Sequence, residues 1–330
     1  VAALLLGQST GREYREAPWW AVAWIAAADL ILMGVFWRVI GRRAVRGIYI
    51  SCWFILAATF WIAVILVVGY MPWLRKGLAN TVIEGFYIHN VVGMWFTPLA
   101  VGLTYYTLPK LLNKPIYSYG LGVLGFFTHL VFYTVIGTHH FIFTPLPDWI
   151  ETVSVVFSVA MIVPVWASTG NFLLTMKGER SAIRLSYSLP FILVGVIAYG
   201  LVSLQGSVQA LRAVQEQWHF THYTVGHAHA ALYLFVSFLI WGSLYGLVPR
   251  ITGREPEPVL VGAHFWLALG GMLIYATSLF VGGHLQGAAW VEQLPFMESV
   301  RRVVPYMVWR SVGGMFLLAA HVIFAFNLFK

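Results

Sequence analysis

Apolar residues run through this chain in long, nearly unbroken blocks separated by short polar connections. Blocks of about 20 apolar residues are what an α-helix needs to cross a bilayer, and the pattern predicts nine. They fall at 19–40, 48–70, 84–108, 119–142, 149–174, 186–211, 222–248, 258–282 and 303–328. No low-complexity tract, long linker or separate polar segment interrupts them. The chain is therefore expected to be all-α, one polytopic transmembrane helix bundle spanning 1–330.

Composition agrees: 60% of the 330 residues are hydrophobic and 10% charged, against about 25% charged in soluble domains. The net charge of +8 is explained by loop placement and needs no nucleic-acid partner. Arg42, Arg43 and Arg46, then Lys110 and Lys114, then Lys177, Arg180 and Arg184, then Arg250 and Arg254 fall on one side if nine helices alternate. The intervening loops hold chiefly Arg75, Lys76, Arg212, Arg301 and Arg302. The positive-inside rule makes the first set cytoplasmic. Cys52 is the single cysteine, so neither a disulfide nor a Cys-x-x-Cys-His haem attachment is available. The opening VAALLLGQST has no basic start and reads as the tail of an earlier helix, so further helices are expected before it.

The histidines change the picture. In THYTVGHAHAA (221–231), His227 and His229 open the seventh span. Residues on an α-helix advance by about 100°, so these rings point to nearly opposite faces, about 200° apart, and cannot share one ion. Each can serve its own centre; a bland reading makes them polar caps at the membrane interface. His139 and His140 are adjacent within VFYTVIGTHHFIF (131–143), and an α-helix there would let both lean into one groove, with Tyr133 two turns deeper on nearly the same face. His89 lies near the start of the third span, where a lone histidine is more often structural. With alternating helices, His89, His139, His140, His227 and His229 reach a similar depth beneath the outer surface, an unexpected levelling for random polar residues. Three imidazoles, from His89, His139 and His140, suit copper. A histidine facing that ion from another helix suits an axial haem ligand. His129 reads as a hydrogen-bonded core residue or as part of a proton path, His264, His284 and His321 as structural, Glu13 and Glu16 as solvated loop charges, and Asp29 as an intramembrane carboxylate with no evident partner. Tyr117, Ser118 and Tyr119 are candidates for proton uptake or for an interfacial aromatic belt.

Together, GREY (11–14), YIHNVVG (87–93), KPIYSYGL (114–121), YTVIGTHHFIFTPLPDW (133–149), HYTVGHAHA (222–230) and GLVPRITGRE (246–255) closely resemble the catalytic subunit of the C-type (cbb-type) haem–copper cytochrome c oxidases. That resemblance implies copper on His89, His139 and His140, a high-spin b-type haem on His227 and a low-spin b-type haem on His229. It makes Tyr133 the active-site tyrosine, cross-linked to His89, puts His219 near the haem propionates, and gives Glu13 to a calcium ion linking them. It implies reduction of dioxygen to water, proton uptake or translocation, cytochrome c-type partner subunits, and a bacterial plasma membrane with the metal centres toward the outer side. About twelve helices are usual in that family; the nine here match its last nine, and the other low-spin haem ligand comes from an earlier one. One departure is Gln205, where a glutamate is expected.

Two alternatives remain. A nitric oxide reductase shares the fold and the His-x-His and His-His patterns, but its iron site expects a glutamate where Gly93 stands and lacks the tyrosine. A di-haem electron-transfer protein explains His227 and His229 but leaves His89, His139 and His140 idle.

Overall fold

A computed structural model describes residues 2–71 and 76–329. Arg75, one of the cations assigned to the outer loops, lies outside the described residues. A bilayer leaves no water to satisfy backbone N–H and C=O groups, so apolar segments fold as helices, and no strand occurs among the described residues. In chain order the long helices are α1 (Trp19–Gly41), α2 (Ile50–Tyr70), α3 (Gly77–Leu112), α4 (Tyr119–Tyr133), α5 (Asp148–Met176), α6 (Leu189–Gln209), α7 (His222–Thr252), α8 (Pro258–Val291) and α9 (Phe296–Phe329). Eight are long and apolar enough to cross a membrane and α4 is shorter. The chain is a multi-pass membrane protein.

The helices form two compact units: Val1–Tyr105 with Ser118–Ser168, and Tyr106–Tyr117 with Thr169–Lys330. The first is centred on Ile62, Ile65, Tyr87 and Met94, with Tyr133 packed against them. The second is centred on Phe191, Phe238, Trp241, Tyr245 and Ala268, with a smaller cluster at Ala230, Met272 and Ala276.

The fourth span departs from expectation. Instead of running to 142, α4 stops at Tyr133, and His139 and His140 sit on a separate 3-10 turn, Ile136–Phe141. The β-branched run Thr134-Val135-Ile136 and then Gly137 weaken helix continuation by several tenths to about 1 kcal/mol per residue. Tertiary contacts then decide. Gly137 lies against α3 backbone to backbone: a Cβ on it would be 2.2 Å from the Gly85 carbonyl oxygen. Asn90 donates to the Thr134 carbonyl (3.3 Å) that the ended helix leaves free. The α-helical geometry expected for the histidine pair therefore does not apply. The third span also begins earlier, at Gly77, so His89 lies over three turns in rather than one and a half.

Two π-helical segments interrupt α3 and α7, at Val91–Phe96 and Ala231–Ser237. Each begins two residues after a predicted ligand, His89 and His229 respectively. Such bulges widen a helix locally and are frequent at functional sites.

Candidate metal centre

In the first unit, His89 on α3 meets His139 and His140 of the 3-10 turn. Their ring centroids are 4.5 Å (His89–His139), 5.2 Å (His89–His140) and 4.5 Å (His139–His140) apart. One nitrogen from each lies within 4.8 Å of the other two. Small ring rotations bring three nitrogens onto one ion, and imidazole is a donor suited to copper, zinc, iron or nickel.

Outer contacts aim the rings. The Ser158 hydroxyl donates to the Ser154 carbonyl (2.6 Å) and so accepts from His139 Nδ1 (2.6 Å). That assigns the proton to Nδ1 and leaves Nε2 as the donor toward a metal, the usual outer-shell device of imidazole ligands. Ser158 escaped the sequence reading, although the spacing Glu151, Ser154, Ser158 traces a polar stripe that is the buried face of this part of α5.

Tyr133 closes the site. Its ring is 4.4 Å from that of His89 and stacks on His129 at 5.0 Å. His129, buried, hydrogen-bonds the Gly93 carbonyl through Nε2 (2.7 Å). Gly93 is what admits the phenol: a Cβ there would fall 1.6 Å from the Tyr133 ring. A glutamate at 93 and Tyr133 in its present position are mutually exclusive. Glu84, nine residues before Gly93, pairs with the buried Arg15, whose guanidinium also donates to the Gly69 carbonyl (2.5 Å).

In the second unit, His227 and His229 lie in the opening turns of α7, which Thr221 caps by accepting from Tyr223 N–H (3.2 Å). This turn presses its backbone on α8 at Gly283, where a Cβ would lie 1.9 Å from the Tyr223 nitrogen. His229 Nδ1 donates to the Val225 carbonyl (2.8 Å), so Nε2 carries the lone pair and accepts only a long hydrogen bond from the Tyr275 hydroxyl (3.4 Å). His227 Nδ1 hydrogen-bonds Gln205 Oε1, again leaving Nε2 outward. Both rings thus present the donor an axial haem site requires. His219 pairs through Nδ1 with Gln215 (2.8 Å), while its Nε2 is buried with no protein partner; burial lowers its pKa.

The remaining candidates lie outside these clusters. Glu13 is exposed beside Tyr14, which has a left-handed φ of 56°. Phe143, three residues after His140, and Phe220, next to His219, also have positive φ (66° and 57°), strain that persists only where surroundings enforce it. His264 is buried and bonded to the Tyr245 hydroxyl (3.0 Å), and Trp218 donates to His284 (3.2 Å). Ser118 caps α4 and the Tyr119 hydroxyl donates to the Ile48 carbonyl (3.2 Å). Asp29 Oδ2 is buried without a hydrogen-bond partner.

With this geometry in view, residues 1–316 match the family described as Cytochrome C and Quinol oxidase polypeptide I. The chain belongs to that family. Curated relatives include the cbb3-type cytochrome c oxidase subunit CcoN1 of Stutzerimonas stutzeri, 31% identical over 99% of this chain and 73% of its own length. A cytochrome c oxidase subunit 1 homolog of Agrobacterium tumefaciens is also 31% identical, over 98% of this chain and 64% of its own. For cytochrome c oxidase subunit 1 of Rhodobacter capsulatus the figures are 32%, 98% and 65%. The chain thus spans a little under two thirds of the length of most of these relatives. A haem–copper terminal oxidase dimer solved by cryo-EM shares the fold, with a TM-score of 0.69 at 19% identity over 85% of this chain and 55% of that one. As a member of this family the chain has a donor set that fits the family's groups: three converging imidazoles for copper, and two more, each with Nδ1 engaged, for haem iron.

Proposed function

We propose that the chain is the catalytic core of a terminal respiratory oxidase, which reduces dioxygen to water with electrons from cytochrome c and takes up or translocates protons. The observation that carries the reading is the gathering of His89, His139 and His140 within one ion's reach, with the Tyr133 phenol against His89. His89, His139 and His140 hold copper, His227 a high-spin b-type haem and His229 a low-spin one. When bound, copper and haem iron supply the electron transfers that break the dioxygen bond.

The protein's own groups do the rest. Ser158 keeps the His139 proton on Nδ1, so that ligation uses Nε2. Tyr133 Oη is the nearby source of a proton and, through the phenol, of an electron; ring contact with His89 suits the family's covalent link between these two residues. His219 Nε2, lacking a protein partner, suits a haem propionate, and Glu13 suits a calcium ion. The collision that any side chain at 93 would make with Tyr133 speaks against the iron-binding glutamate of a nitric oxide reductase. The two units work as one oxidase domain in a bacterial plasma membrane, with the metal centres toward the outer side and cytochrome c-type subunits as electron-delivering partners.

Metal and haem analysis of the purified complex, with dithionite-reduced spectra before and after carbon monoxide, tests this reading. It expects copper, one haem that binds carbon monoxide and one that does not. Haem without copper, or non-haem iron in its place, would overturn it.

A further inference from the structure

Gln205 stands where the resemblance expects a glutamate, and its surroundings give it a role. Gln205 and Gln209 stand one turn apart at the end of α6, and Thr224 lies in the first turn of α7. The Gln205 amide nitrogen donates to Gln209 Oε1 (3.0 Å), and the Gln209 amide nitrogen donates to Thr224 Oγ1 (2.9 Å). The Thr224 hydroxyl donates to the Trp218 carbonyl (3.1 Å). Gln209 is buried, so a reversed amide there would face like atoms with no water to compensate.

The direction of every bond follows from the far end. A backbone carbonyl can only accept, so Thr224 must donate to Trp218 and accept from Gln209. Gln209 then offers its oxygen to the Gln205 amide nitrogen, and Gln205 offers its own oxygen to His227. His227 must therefore carry its proton on Nδ1.

We infer that Gln209 and Thr224 are positioning residues that lock the Gln205 carbonyl onto His227 Nδ1–H, fixing His227 as a neutral Nε2 donor to haem iron. This rests on the reading of His227 as a haem ligand. An outer partner sets the basicity of a ligating imidazole and hence the potential of its metal. An amide is a weaker acceptor than a carboxylate, so this relay holds His227 less imidazolate-like than a glutamate at 205 would, and the iron's midpoint potential higher. His229 bonds a backbone carbonyl instead, so its haem lies outside the relay and serves as an internal control.

Resonance Raman spectra of the dithionite-reduced holoenzyme read the iron–histidine stretch, and redox titration reads the midpoint. Gln209→Leu and Thr224→Val should shift both for the high-spin haem and leave the low-spin haem's spectrum unchanged. Thr224→Ser, which keeps the hydroxyl, should restore the wild-type values. Gln205→Glu should raise the stretch and lower the midpoint. Wild-type values in both Gln209→Leu and Thr224→Val, with the stretch lost in His227→Ala, would overturn the relay alone. Persistence of the stretch in His227→Ala would overturn the ligand assignment and the relay with it.

Discussion

The two histidine sites are built by different means. In the first unit the three imidazoles come from separate elements, α3 and a 3-10 turn that has left the helical path, so the cluster exists only because Gly85 and Gly137 let two backbones touch. In the second, both histidines are local: two residues apart on one helix, they diverge by α-helical geometry alone, and neighbours merely set their tautomers. One site is a product of tertiary docking and the other of secondary structure. Both use a π turn starting two residues beyond a histidine, and both assign the ring proton through hydrogen bonds that end on a backbone carbonyl. The difference implies that the three-imidazole site is fragile to backbone contacts and the paired site to its outer hydrogen bonds.

The sharpest break should come from the phenol. Tyr133→Phe should lower oxygen reduction by about 10²–10⁴-fold, the range for losing a positioned proton donor, while both haem spectra and the copper content persist; oxygen-electrode assays with metal analysis measure this. Next is the backbone contact. Gly137→Val puts side-chain atoms into the Gly85 carbonyl, and overpacking of this kind costs about 1–3 kcal/mol or more. Copper per chain should fall to near zero and the melting temperature should drop, while the His229 haem keeps its spectrum. A smaller effect is expected at Ser158→Ala, which removes only the acceptor for His139 Nδ1; copper affinity, read by competition with a chelator, should weaken by about 10–100-fold. Smallest is Tyr275→Phe. Its hydroxyl is a long 3.4 Å from His229 Nε2, and loss of so weak a bond costs less than about 1 kcal/mol, so the low-spin haem should form normally.

Much of this was legible in the sequence. The long helices follow from hydropathy because a segment in lipid must satisfy its own backbone, and the ligand candidates stand out because imidazoles are costly in apolar spans. What hydropathy could not see is the end of α4. The apolar run continues past Tyr133 through Val135, Ile136, Phe141, Ile142, Phe143 and Leu146, so hydropathy carries the span onward, and the break is set by contacts with Gly85 and Asn90 far away in sequence. The π turns have no periodic signature over six or seven residues. The Ser158 brace was readable in principle from the polar stripe on α5, but the Gln205 relay was not, since it joins two helices and its direction depends on which carbonyl terminates it. Gly93 shows the opposite case: noted in sequence only as a missing glutamate, it proves to be the space that Tyr133 occupies.

X-ray absorption at the copper edge, on the purified oxidase complex, probes the converging imidazoles most directly. Three histidine nitrogens should form the copper's inner coordination, with one lost in each of His89→Ala, His139→Ala and His140→Ala where copper is retained. A metal-free protein, or a copper whose histidine coordination is unchanged when these residues are replaced, would contradict it.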